Sequence, residues 1–389
     1  MAFISVITIL LVGVVAFFTS KKPKNLDSND YLVGPYKPAR RIAILIASKD
    51  GEKTIAQTVR AAAKNGRKVF VVSDGSTDKT ASEAKKAGAT VLALRKNIGK
   101  PSALHRAYKH FKLGKRFDAV AILDDDVLIS RDFVILAKHL MGNDVAITVG
   151  KNITHWPDEK RWNIWLAART YSYWCYQLTL RRLQSAANVM NCISGSNSLY
   201  RTEVLDQVLS GHTPYIVDDT YWTLETHRLG LGKIVYAPRA HAWIQDPTNF
   251  RDWYKQNLRW MWGTYQGIIG HQIGSQFNRF HMSYVFLMAE WILYIISGPI
   301  CIWLILQGGP EHIPRQLLIL ASGYALWVVG AALSLKLPRL LFFIPAIAIA
   351  DFIFRFLMVH AFFKALRQKT VLACVWDSPK RFDTRSVTA

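Results

Sequence analysis

Acidic residues are scarce in this chain. Its 389 residues set 27 Asp and Glu against 49 Lys and Arg, a formal charge of +22. Such an excess suits a surface facing anionic lipid on the cytoplasmic side of a membrane, and it attracts phosphorylated ligands. It would also serve nucleic acid, but the long apolar runs described below argue against that partner. Cysteine is thin too: Cys175, Cys192, Cys301 and Cys374 stand far apart with no C-x-x-C. Neither a zinc site nor a disulfide framework is indicated, and the main domain reads as lying in a reducing cytoplasm. Both G-x-x-x-x-G-K-[ST] and G-x-G-x-x-G are missing, so neither a P-loop nor a Rossmann dinucleotide site is supported. There is no internal repeat and no low-complexity tract.

Apolar sequence is plentiful at the two ends. Residues 2–18 have no charge before them and Lys21, Lys22 and Lys24 after them. A secretory signal carries its positive charge ahead of the apolar run. The reversed order predicts a retained anchor with its N-terminus outside. Residues 283–306 and 317–335 are long enough to span a bilayer, and Glu290 within the first needs a partner or a wet cavity. Residues 340–363 are long enough as well, but Pro345, Asp351, Arg355 and His360 interrupt them. Asp351 and Arg355 stand at i, i+4 and are placed to pair. A third crossing here would export a tail rich in Lys364, Arg367, Lys369, Lys380, Arg381 and Arg385. The charge rule therefore favours a broken, interfacial or re-entrant segment and a cytoplasmic tail.

Between the ends the pattern alternates. Short apolar runs at 41–47, 68–73, 90–94 and 119–123 read as buried strands. Helical stretches at 53–64, 79–87 and from Pro101 to about Phe111 separate them. This predicts an α/β fold with a mostly parallel sheet and right-handed crossovers. Ligands of such sheets bind beyond the carboxyl ends of the strands. Asp74, Gly99-Lys100 and Asp124-Asp125-Asp126 all fall at such ends and should converge on one crevice.

Asp74 suits a hydrogen bond to a nucleotide base or ribose, although Asp74-Gly75 is equally an ordinary turn. Asp124 and Asp126 share a D-x-D spacing that can hold a hard divalent cation, with diphosphate oxygens and water completing its shell. A solvated acidic loop is the plainer alternative. Lys100 can neutralise phosphate. Residues 156–176 are dense in aromatics, and are expected to pack on the sheet or the membrane face or, alternatively, to line a sugar channel. The small residues from Cys192 to Ser198 allow close backbone approach to a ligand, and Thr202 is expected to cap the next helix. In the stretch 217–262, Asp218-Asp219 opens a helix, a strand follows at 234–237, and Gln256, Arg259 and Trp260 stand in the order Q-x-x-R-W. A carboxylate can take a proton from a sugar hydroxyl, a guanidinium can hold a diphosphate, and an indole can stack on a sugar ring. The plainer readings are a helix cap and an interfacial aromatic belt.

The ordered set of DGS (Asp74), D-x-D (Asp124, Asp126), CISGSNSLYR (from Cys192), VDD (Asp219) and QNLRW (from Gln256) resembles the membrane-embedded family 2 glycosyltransferases. These include hyaluronan, cellulose and chitin synthases and the capsular polysaccharide synthases. The resemblance runs from about Arg41 to the C-terminus. It implies a GT-A type catalytic domain with transmembrane and interfacial helices, a UDP-sugar donor, and Mg or Mn held by Asp124 and Asp126. Asp219 is implied as the catalytic base. Asp74, Lys100, Asp124 and Arg259 fall to the donor, and Cys192, Gln256 and Trp260 to the acceptor. Ser196 and Asn197 replace the family's Pro and the residue after it. Trp376 matches the Trp of the hyaluronan synthase W-G-T-[RS] gating loop, without the Gly-Thr pair.

The expected partition is an anchor over 1–20, a linker over 21–40 and a cytoplasmic catalytic domain over 41–249. An interfacial region follows over 250–280, then a membrane region over 281–363 and a tail over 364–389. The implied activity is inverting β-glycosyl transfer that extends a polysaccharide or oligosaccharide in a multi-pass cell-membrane protein. Its partners would be a UDP-sugar, a growing glycan or lipid acceptor, and membrane lipid, with no nucleic acid. The rival readings are a lipid glycosyltransferase of ceramide glucosyltransferase type and a membrane scaffold with a degenerate transferase domain.

Overall fold

A computed structural model of the protein describes residues 35–307 and 309–371. The expected anchor, Cys374 and the proposed gate residue Trp376 lie outside the described residues.

Eight strands form one sheet: β1 (Ile42–Ser48), β2 (Lys68–Asp74), β3 (Thr90–Leu94), β4 (Ala119–Asp124), β5 (Val127–Ile129), β6 (Val145–Thr154), β7 (Asn197–Arg201) and β8 (Lys233–Ile244). Their order is β3-β2-β1-β4-β7-β6-β8-β5. The pairs β3–β2, β2–β1, β1–β4 and β6–β8 are parallel, and β7 runs antiparallel to both neighbours. All seven residues of β1 are buried. Ala43, Leu45 and Ala47 meet Leu104, Ala107 and Tyr108 on one face; Ile42, Ile44 and Ile46 meet Ile55, Val59 and Ala62 on the other. A strand covered on both faces must read as a continuous apolar run, because neither side of its pleat sees water. Each such isoleucine contributes about 1.5–3 kcal/mol of burial.

Five helices flank these strands: α1 (Ile55–Ala63), α2 (Thr80–Lys86), α3 (Lys100–His110), the short α4 (Leu113–Arg116) and α5 (Phe133–His139). Strand order reverses between β1 and β4, which opens a crevice at their carboxyl ends. Because β7 is antiparallel to β4, with Leu123 opposite Asn197, the loop entering β7 arrives at the same edge. The sheet lies in a unit made of the described parts of Lys22–Pro157, Asn188–Gln245 and Gln368–Ala389.

Residues Asp158–Ala187 and Asp246–Arg367 form a second, helical unit. It holds α6 (Ile164–Cys175), a π turn at Tyr176–Leu180 and α7 (Arg181–Ala187). The sheet unit then adds α8 (Thr202–Val208) and α9 (Asp218–Arg228). The helical unit resumes with α10 (Phe250–Gly270), α11 (Arg279–Gln307), α12 (Ile313–Ser334) and α13 (Ile344–Arg367). Three of its helical segments, Arg279–Gln307, Pro310–Ser334 and Pro338–Arg367, are long and apolar enough to cross a membrane by length and composition.

Three expectations are refined. Residues 340–343 close a 3-10 turn over Pro338–Phe343, and α13 then runs without a break from Ile344 to Arg367. Pro345 sits in its first turn, where a missing N–H costs nothing. Its charges are satisfied sideways: Arg355 Nη1 donates to Asp351 Oδ2 at 2.9 Å, Tyr294 Oη donates to Asp351 Oδ1 at 2.8 Å, and Tyr324 Oη donates to Asp351 Oδ2. The aromatic helix α6 packs on other helices of its own unit. Trp165 lies 5.2 Å from Trp253, and Trp174 Nε1 donates to Ser334 Oγ at 2.8 Å. Thr202 does not cap α8 with its side chain; Arg201 is the N-cap, and Thr202 Oγ1 reaches the Phe117 and Asp118 carbonyls, both at 3.2 Å.

Candidate active site

The sheet edge gathers its charges around one lysine. Gly99, at φ +84°, turns the chain from the β3 side into α3 and delivers Lys100 as the first helical residue. Lys100 Nζ donates to Asp124 Oδ1 at 2.6 Å and to the Gly195 carbonyl at 3.3 Å, and lies 3.9 Å from Asp218 Oδ2. Burial works against its charge, but the carboxylates of Asp124 and Asp218 outweigh it and hold the ammonium well above the usual lysine range. The ammonium stands at the carboxyl end of β4.

The D-x-D register follows from which carboxylate is buried. Asp125 is 1% exposed and accepts from Ser48 Oγ, while its own carbonyl accepts from Thr58 Oγ1 at 2.9 Å. Asp124 and Asp126, on either side of it, stay partly exposed. Among the described residues no group of three or more His, Cys, Asp or Glu side chains is set to hold a metal ion. The chain offers two carboxylates here, not a complete cage.

Asp219 occupies the first turn of α9. Val217 is the N-cap and no side-chain cap bond forms. Asp219 Oδ2 instead accepts from the Gly195 amide at 3.0 Å, and Oδ1 faces the Cys192 thiol at 3.8 Å. A Cβ at residue 195 would stand 3.1 Å from Asp219 Oδ2 and 3.2 Å from its Cβ, so the close approach calls for glycine. Below this loop, Asn152 Oδ1 accepts from Asn197 Nδ2 at 2.7 Å and from Ser194 Oγ at 3.2 Å. Arg201, at the end of the same motif, is 1% exposed and donates to four backbone carbonyls, among them Lys37 at 2.6 Å and Gly142 at 2.7 Å. It braces the sheet unit rather than the ligand edge.

Asp74 ends β2 and accepts from the Ile98 amide at 2.8 Å. Burial raises its pKa, with the amides of Ile98 and Gly99 pulling the other way. Gly75 has φ +62°, and a Cβ there would fall 2.3 Å from the Asn97 amide nitrogen. The D-G turn is thus locked onto the loop that presents Lys100. Asp50, which sequence reasoning passed over, clamps the same turn by accepting from the Thr77 amide at 2.8 Å.

In the helical unit, α10 carries Gln256, Arg259 and Trp260. Gln256 is 9% exposed and its Oε1 accepts from Arg169 Nη2 at 2.7 Å. The Arg169 guanidinium also lies 4.5 Å from the centroid of the Trp260 ring. The structure therefore brings Lys100, Asp124, Cys192 and Asp219 together in the sheet unit and sets Gln256, Arg259 and Trp260 on one helix of the other. Asn152 and Arg169 are additions that sequence reading missed.

Comparison with known proteins accords with this geometry. The family model described as "Glycosyltransferase like family 2" matches residues 38–263, from just before β1 into α10. A poly-β-1,6-N-acetyl-D-glucosamine synthase of Staphylococcus aureus (strain COL) is 25% identical over 265 residues, covering 66% of this chain and 62% of that protein. The enzyme of the same name from Staphylococcus epidermidis is 25% identical over 268 residues, covering 66% and 60%. The chain thus spans less than two thirds of these relatives' own length. Among solved structures, the mannosyltransferase PcManGT from Pyrobaculum calidifontis, in complex with GDP-Man and Mn2+, has a similar fold. Its TM-score is 0.55 at 17% identity, over 93% of this chain and 98% of that one. With a GT-A fold and a family match over more than half its length, the chain belongs to glycosyltransferase-like family 2.

Proposed function

We propose that the protein is an inverting, membrane-bound β-glycosyltransferase that extends a glycan from a UDP-sugar. The observation that carries this reading is the placement of Asp219. Its carboxylate accepts from the Gly195 amide, while the carbonyl of the same glycine receives Lys100. A base and a fixed cation thus share one residue of backbone. In the reaction Asp219 accepts the proton of the acceptor hydroxyl. The freed oxygen attacks the anomeric carbon from the face opposite the diphosphate, the sugar–phosphate C–O bond breaks, and UDP departs. Inversion follows from that in-line geometry. The Lys100 ammonium offsets charge on the departing diphosphate.

Asp124 and Asp126 fit a hard divalent cation such as Mg or Mn. They are oxygen donors, both partly exposed, and held in register by the buried Asp125 between them. When bound, the ion would supply Lewis-acid neutralisation of diphosphate charge. The motif resemblance assigns Asp74 to the donor nucleotide, Arg259 to the diphosphate, and Cys192 and Trp260 to the acceptor. The polysaccharide synthases among the relatives support a polymer over a glycolipid as product, with an N-acetylhexosamine as the first sugar to try. The expected domain partition is retained as a proposal, with residues 158–187 moved to the helical part, and the catalytic unit is assigned to the cytoplasmic face of a cell membrane.

The test is UDP release and product sizing with purified protein, Mn or Mg, and a panel of UDP- and GDP-sugars. Release with one UDP-sugar and a ladder of products is expected. No release with any donor sinks the proposal, and a single glycolipid product would replace polymer with the lipid-acceptor reading.

A further inference from the structure

Arg169 is buried in α6, 3% exposed, in a chain whose other arginines mostly face outward. Both of its terminal nitrogens are hydrogen-bonded within the helical unit, and Nε takes part in an ion pair without a hydrogen bond. Nη2 donates to Gln256 Oε1 at 2.7 Å and Nη1 to Asn257 Oδ1 at 3.1 Å. Nε lies 3.3 Å from Asp246 Oδ1, an ion pair between side chains that are 3% and 0% exposed. That same carboxylate oxygen accepts from Tyr173 Oη at 3.2 Å. The guanidinium plane also stands 4.5 Å from the centroid of Trp260.

We propose that Arg169 is a positioning residue of the glycan-acceptor platform, fixing Trp260 by covering one face of its indole and fixing α10 through Gln256 and Asn257. A planar guanidinium can bond two adjacent side-chain amides and cover an aromatic ring at once, whereas a lysine ammonium cannot. With one indole face occupied by a cation, a sugar ring can stack only on the other, which sets a single orientation for the acceptor. Gln256 becomes a strut in this arrangement. Its carbonyl is spent on Arg169, so it acts through the helix and not by meeting the acceptor with that oxygen, as the motif alone had implied. Asp246 balances the buried charge. The inference rests on the glycosyltransferase reading above.

The experiment compares full-length wild type, Arg169→Lys, Trp260→Phe and the double variant in lipid nanodiscs. Acceptor titrations at saturating donor are read beside UDP release without acceptor and near-UV circular dichroism. Arg169→Lys is expected to raise the acceptor KM about 10-fold or more while UDP release without acceptor stays within about 2-fold. Its dichroism change should vanish in the Trp260→Phe background, and the double variant should be no worse than Trp260→Phe alone. If Arg169→Lys does not fold, Gln256→Ala and Asn257→Ala each remove one arm of the fork and should raise the acceptor KM in the same direction. Additive effects, or equal loss of UDP release with and without acceptor, overturn the inference while the transferase reading stands. Wild type that releases no UDP with any donor overturns both.

Discussion

Asp219 is where the chemistry is most exposed to test. Asparagine at that position keeps the size and can still accept from the Gly195 amide at about the present 3.0 Å, but it cannot take a proton. Asp219→Asn should therefore bind UDP-sugar near wild-type affinity while turnover falls ~10²–10⁴-fold. Asp218→Asn, whose carboxylate only faces Lys100 at 3.9 Å, should lose less. Affinity and turnover measured side by side decide it, and near-normal turnover in Asp219→Asn would remove the base. The D-x-D register gives a second contrast. Asp126→Ala should abolish metal-dependent turnover. Asp125→Ala should keep most of it per folded molecule but lower stability by about 1–3 kcal/mol, because Ser48 Oγ loses its buried acceptor. Equal loss of turnover in both variants would refute the register. Asp124 to Asp126 were legible in the sequence because they follow the end of β4, where an apolar run stops at a charge. Asn152 was not, since its partner Asn197 lies 45 residues away and a lone amide carries no local pattern. Arg169 was hidden for the same reason inside an aromatic helix.

At the scale of elements, α9 couples the site to a pH-sensitive contact. It carries Asp218 and Asp219 in its first turn and His227 in its last. His227 Nε2 stands 3.0 Å from the Met190 carbonyl, so the neutral ring donates there. Burial pushes its pKa down from 6.5 to about 4. Above pH 6.5 neither state binds the extra proton. Between the two values the unfolded chain binds it and the folded chain does not, so stability is lost as pH falls through that window, by about 3 kcal/mol from this group. His227→Gln should flatten the dependence, as read by chemical denaturation at neutral pH and at the acid end of the window. Parallel losses in wild type and variant would show that another group carries it. The strands β1, β2 and β4 were readable because both their faces are covered and the sequence has no polar alternation to mislead; β3, at the sheet edge and only partly buried, showed as a short apolar run. Which of a broken, interfacial or re-entrant segment forms at 340–363 was not legible, because proline and paired charges look alike in a sequence whether they end a helix or lie in its first turn and against its neighbours.

The whole molecule poses the question of which side of the membrane the tail is on. Three helical segments qualify as spans by length and composition, but the contacts of α13 separate it from the other two. Along much of its length it lies on α10, whose sequence FRDWYKQNLRWMWGTYQGIIG is too polar for the centre of a bilayer. Ala350 packs with Trp253, Tyr254 Oη meets His360 Nδ1 at 2.9 Å, Tyr265 lies 5.5 Å from Phe362, and the Lys364 ammonium stands 4.3 Å from the Trp262 ring centroid. A helix lined by such a partner is suited to the interface. Within the sheet unit, the Val371 amide donates to the Pro214 carbonyl at 2.8 Å. Val371 follows the end of α13 by four residues, which reach at most ~14 Å, whereas the hydrocarbon core is ~30 Å thick. With α11 and α12 crossing as a pair, a third full crossing would export the Lys- and Arg-rich tail. Two crossings and a cytoplasmic basic tail are expected, in keeping with the charge rule. Single cysteines at Lys115, Glu311 and Ser386, probed in intact cells with an impermeant maleimide and blanked against wild type, provide the test. Glu311→Cys should react from outside, and Lys115→Cys and Ser386→Cys only after permeabilisation. Labelling of Ser386→Cys from outside would make α13 a true span and withdraw Trp376 from the catalytic side.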